Sequence, residues 1–81
     1  MVTAYRIYYT TFYDEEHERI VGQLAALLKK EPRIHQSRIR EFRYVEFVGE
    51  DLPRWLEEDI KRVVRSVLGD DAYVRVDYIN L

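Results

Sequence analysis

Arg33–Gly49, RIHQSRIREFRYVEFVG, decides how this chain folds. Phe42 to Val48 is rich in aromatic and β-branched residues and reads as a strand. Ile34 to Arg40 is weaker, with His35, Gln36, Ser37 and Arg38 inside it. It supplies either a short edge strand or an arm leading in. Glu41 and Arg43 share parity with Val45, which belongs to an apolar set. A bulge or turn near residue 41, or a strand that overhangs its cover, would explain this.

On the N-terminal side, residues 3–13 read as a strand, because Ala4 to Tyr13 contains no breaker. Asp14 suits a helix N-cap, followed by an acidic first turn of Glu15, Glu16 and Glu18. Ile20, Val21, Leu24, Leu27 and Leu28 then form one apolar helical face. The helix should run to about Lys30, because Glu31 precedes Pro32 and residues before proline avoid helical geometry. On the C-terminal side, Gly49-Glu50-Asp51 reads as a turn, and Asp51 is a candidate cap for a second helix. Leu52, Leu56, Ile60, Val63, Val64 and Val67 form its stripe. Glu57–Lys61 and Glu58–Arg62 are surface pairs four residues apart. Gly69 closes the helix, and residues 72–80 read as the last strand.

Strand, helix, one or two strands, helix and strand imply crossovers with both helices on one sheet face. The expected class is α+β: an open-faced α/β sandwich with the ferredoxin-like split βαβ arrangement. Two helices cover one face of a three- or four-stranded sheet, and Arg33–Arg40 decides between three and four. The chain of 81 residues is read as a single domain, residues 1–81.

Composition excludes several classes. High apolar content (47%) and a net charge of -2 argue against disorder. No apolar run approaches the ~20 residues of a membrane span. Met1 to Arg6 lacks a charged segment before an apolar stretch, so no signal peptide is expected. The absence of Cys removes disulfides and thiolate chemistry, and fits an intracellular, cytoplasmic protein. Many ion-pairing residues, no Cys and one Met resemble thermophile composition.

Seven tyrosines stand out, and period-2 alternation sorts them. Tyr5, Ile7, Tyr9, Val45, Phe47, Val74, Val76 and Tyr78 form the uncharged inner set. The outer set includes Arg6, Tyr8, Thr10, Arg40, Phe42, Tyr44, Glu46, Tyr73, Arg75 and Asp77. Arg6, Tyr8, Arg40, Phe42, Tyr44, Tyr73 and Arg75 are the candidate binding residues. Rings mixed with Arg fit a solvated face, a homo-oligomer interface or a single-stranded nucleic-acid platform. The two helical stretches are acidic, and the strands carry the remaining positive charge, with Arg33, Arg38, Arg40 and Arg43 grouped. The net negative charge weighs against nucleic acid. The expectation is therefore a non-catalytic interaction module that forms a homodimer through this face, with single-strand binding as the alternative.

Chemistry-bearing motifs are sparse. His17 and His35 are the only histidines, and no second His or Cys lies at metal spacing. His17 reads as a surface His stabilised by neighbouring carboxylates, and His35 as exposed. Glu57-Glu58-Asp59 and Asp70-Asp71 read as solvated charge. No GxSxG, P-loop or GxGxxG is present, so no cofactor, metal or catalytic residue is assigned. Trp55 is expected as a core or hinge anchor.

Phe47-Val48-Gly49-Glu50-Asp51-Leu52, an amphipathic helix, an acidic pair and the ending Tyr78-Ile79-Asn80-Leu81 follow one another. This order is similar to the second half of the small CRISPR-adaptation endonucleases. The resemblance implies a ferredoxin-like homodimer and, as a further alternative, a metal-dependent nuclease. That family places an Asp ligand at the end of the first strand. Thr10 and Thr11 stand there in this chain, and Asp14 is the next acid, so no site residue is carried over.

Overall fold

Ile34 resolves the ambiguity at residues 33–40. In this computed structural model, which describes residues 1–81, it pairs with Val45 in a fourth strand. The elements are β1 (Thr3–Thr10), α1 (Asp14–Leu28), β2 (Arg33–His35), β3 (Phe42–Gly49), a 3-10 turn (Arg54–Leu56), α2 (Glu57–Leu68) and β4 (Val74–Asn80). The sheet is antiparallel with order β2-β3-β1-β4. Each crossover helix skips one strand: α1 passes β3, and α2 passes β1. This is the ferredoxin-like split βαβ order, with both helices packed on one face.

Alternation explains the core. Tyr5, Ile7 and Tyr9 of β1 and Val45 and Phe47 of β3 are fully buried against Ile20, Leu24, Ile60 and Val64 of the helices. Val76 joins them, with Val74 and Tyr78 packed alongside. Two inner tyrosines also organise the β3–α2 connection. The Tyr5 hydroxyl donates to the Pro53 carbonyl and accepts the Leu56 N–H at 3.2 Å. The Tyr78 hydroxyl donates to the Leu52 carbonyl at 2.8 Å.

Several boundaries differ from expectation for local reasons. β1 ends at Thr10, and Tyr13, not Asp14, holds the cap position of α1, without a side-chain bond. Buried Thr11 does the tying: its hydroxyl accepts the Tyr13 N–H at 3.1 Å and donates to Glu16 at 2.5 Å. α1 stops at Leu28 because Lys29 turns left-handed (φ 56°) and its N–H returns to the Ala25 carbonyl. Asp51 does not cap α2. Pro53 is extended and disfavours helix at Leu52, so a 3-10 turn precedes the helix that starts at Glu57. Gly69, at φ 112°, closes α2 in a region that favours glycine.

Arg40 is not a strand residue. It lies in the turn between β2 and β3, where the Phe42 N–H bonds the Ile39 carbonyl at 3.1 Å. This turn accounts for the parity break at Glu41. Arg43 keeps helix-side parity at the sheet's end, where it donates to the Thr11 carbonyl at 3.1 Å and to Asp14 at 2.9 Å. Trp55 is no core anchor: it is 78% exposed, and Leu56 packs on the core instead. Glu57–Lys61 forms at 3.0 Å, but Arg62 pairs with Asp59 at 2.8 Å and not with Glu58. No helix is long and apolar enough to cross a membrane.

Candidate functional site

Strand register turns the uncovered face into ordered rows. Arg33 of β2 lies opposite Glu46 of β3, Glu46 opposite Arg6 of β1, and Arg6 opposite Asp77 of β4. The next row reads His35, Tyr44, Tyr8 and Arg75. Beyond it Phe42 faces Thr10, and at the opposite end Val48, Ala4 and Ile79 form an apolar row.

The ring row stands upright. His35 and Tyr44 have centroids 4.5 Å apart with planes 19° apart, and Tyr44 and Tyr8 are at 4.7 Å and 16°. These separations match the ~4.8 Å between strands, and rings lying flat on the sheet could not approach so closely. Each ring therefore covers its neighbour's face and presents an edge outward. The Arg75 guanidinium sits 5.9 Å from the Tyr8 centroid, extending the row to β4. Phe42 stacks on Tyr8 at 6.0 Å and leads to Tyr73 at 6.5 Å, just before β4. Burial, then the neighbouring Tyr8, pushes the Tyr44 hydroxyl above its ordinary pKa, so it stays an uncharged hydrogen-bonding tip.

The charged row has a buried centre. Glu46 accepts a hydrogen bond from Arg6 Nε at 2.9 Å and lies 3.5 Å from His35 Nε2. The Arg6 bond holds its carboxyl below the ordinary value of 4.5; burial opposes this and His35 adds to it. A carboxylate depressed in this way stabilises the fold above its unfolded pKa, and that contribution disappears as pH falls through the lower folded value. Acidification from neutral pH to about pH 3 should thus lower the melting temperature of the native chain more than that of Glu46→Gln. An equal loss in the two proteins would remove Glu46 from the acid response.

No family model, curated protein or solved structure matches the chain.

Six of the seven residues expected from the sequence meet on this face: Arg6, Tyr8, Phe42, Tyr44, Tyr73 and Arg75. Arg40 does not, because it leaves with the β2–β3 turn. Arg33 and His35 were missed, and Glu46 and Asp77 were placed on the face without a role. The available signal was Ile34: its inward parity sends Arg33 and His35 outward.

A second feature is a cleft of about 440 Å³ between the start of α1 and the β2–β3 turn. Asp14, His17, Arg38, Arg40 and Arg43 help line it. His17 is not a carboxylate-stabilised surface residue. Its Nδ1 lies 2.7 Å from the buried Tyr9 hydroxyl, and burial, followed by Arg43, lowers its pKa against the pull of Asp14 and Glu18. Asp14 is held by Arg43, and no three His, Asp or Glu side chains converge as a metal site. Thr11, one of the two threonines at the end of the first strand, is occupied with the α1 start.

Proposed function

We propose that this protein is a small non-catalytic interaction module that self-associates into a homodimer through the open sheet face. The ring row carries the reading. It crosses all four strands on the side that neither helix covers. Its members are Tyr, His and Arg, types that suit interface cores because they combine large contact area with polar tips. Size supports the same reading. A core in a chain this short rarely supplies more than roughly 3–5 kcal/mol, so covering the ring row adds stability that the monomer lacks.

Single-strand binding draws less support from the face. Base stacking needs free ring faces, and His35, Tyr44 and Tyr8 spend theirs on one another.

A dilution series followed by amide NMR tests the proposal. The amides of β1 and β3 around Arg6, Tyr8, Phe42 and Tyr44 should shift with concentration, while those on the exposed side of α1 and α2 stay fixed. Concentration-dependent shifts confined to the helices would move the interface away from the sheet.

A further inference from the structure

We propose that the second copy docks with its two-fold axis parallel to the strands, running between β1 and β3. This rests on the self-association proposed above and specifies its geometry. The carrying observation is the alternation of sign along one row: Arg33 positive, Glu46 negative, Arg6 positive, Asp77 negative.

A two-fold parallel to the strands reverses this row on the facing copy. Arg33 then meets the partner's Asp77, and the partner's Arg6 lies over Glu46, whose buried carboxylate is already held by its own Arg6. Every facing pair is of opposite sign, and symmetry makes each pair twice. The adjacent row obeys the same operation: Tyr44 meets the partner's Tyr8, and His35 meets the partner's Arg75. An axis along the charged row would instead set each charge against its own copy, and all the contacts would repel.

The state of the row within one chain agrees with this. Glu46 is matched by Arg6 at 2.9 Å, and Asp77 by Arg75 at 3.2 Å. Arg33 is exposed, and no carboxylate lies within 4.0 Å of it. The row thus offers a free cation at one end and, at the other, a half-exposed acid held only by an exposed arginine two residues away. Reversal brings these two ends together.

One competing axis also satisfies some charges. A two-fold across the strands, between the charged and ring rows, would set Asp77 against the partner's Arg75 and Arg33 against the partner's His35. The two arrangements differ in what they require of Arg33.

The test uses two single variants of the full chain, Arg33→Glu and Asp77→Arg, each checked for native circular dichroism. Alone, each variant should dimerise at least tenfold more weakly than the native chain, because both ends of the row become like-charged. Mixed in equal amounts, they should form a heterodimer with affinity near the native value. The introduced glutamate of one chain then faces the introduced arginine of the other, and the unaltered Asp77 faces the unaltered Arg33. Native mass spectrometry resolves the heterodimer from either homodimer by mass. A native dimer whose variants show no such rescue would overturn this axis and leave self-association standing. Weakening by Asp77→Arg but not by Arg33→Glu would select the competing axis. A monomeric native chain would overturn both proposals.

Discussion

Replacing Phe47 by Ala should leave the chain unfolded or nearly so in dilute buffer. Phe47 is fully buried in the middle of β3, directly opposite Tyr5 and under the helices. Phe→Ala truncation in a packed core costs about 3–5 kcal/mol, from lost transfer energy and the cavity left behind. That loss is as large as the roughly 3–5 kcal/mol that a core of this size rarely exceeds. The single 12-residue cluster holds both helices and the inner contacts of the long strands, so no second core can take over. Urea melts read by circular dichroism check this. The Ala variant should lack a cooperative transition, while the milder Phe47→Leu keeps one at lower urea. A cooperative Ala transition at the native midpoint would show that Phe47 is not central to the core.

The double variant Tyr8→Thr with Tyr44→Thr should abolish measurable self-association while the fold survives. The two residues are direct cross-strand neighbours whose rings stack at 4.7 Å on the open face. Thr keeps β propensity at both positions, so the strands remain. Loss of the stacked pair costs roughly 1 kcal/mol of monomer stability, on the scale of cross-strand aromatic pairs. The interface loses far more. Truncating a central aromatic typically costs about 2 kcal/mol or more, and two-fold symmetry removes each ring twice, so affinity should fall at least about a hundredfold. Sedimentation of the folded variant measures this. A native-like dimer from the double variant would place the interface elsewhere.

The architecture was legible wherever alternation and helical spacing run long enough to be unambiguous. β1, the centre of β3 and β4 each turn every second residue toward the helices, and this parity assigned the inner set correctly. Ile20, Leu24 and Leu28 recur every four residues and mark the buried side of α1. Short elements were harder. β2 is three exposed residues long, and its strand character comes from pairing with β3, not from its own composition. Arg40 shares period-2 parity with Phe42, Tyr44 and Glu46, but the strand starts only at Phe42, and parity carries no meaning across the turn at Arg40 and Glu41. Trp55 looked like an anchor because of its size, yet the 3-10 turn after Pro53 sends it outward. Side-chain partnerships escaped for a related reason. The Tyr9–His17 bond and the Thr11–Glu16 bond depend on how β1 hands over to α1, which alternation does not encode.

The two rows of the open face could be read only once the register was known. Alternation puts Arg6, Glu46 and Asp77 on one face, but it gives neither their order across the sheet nor the place of Arg33 beside them. Sheet order brings them side by side with alternating sign, and the same register stacks His35, Tyr44 and Tyr8.

Sedimentation equilibrium of the native chain across a wide concentration range tests the central claim most directly. Self-association through the sheet face predicts a mass that rises with concentration from the 9.9 kDa of one chain to a plateau at twice that value. A mass that stays at 9.9 kDa up to high micromolar concentration would contradict it.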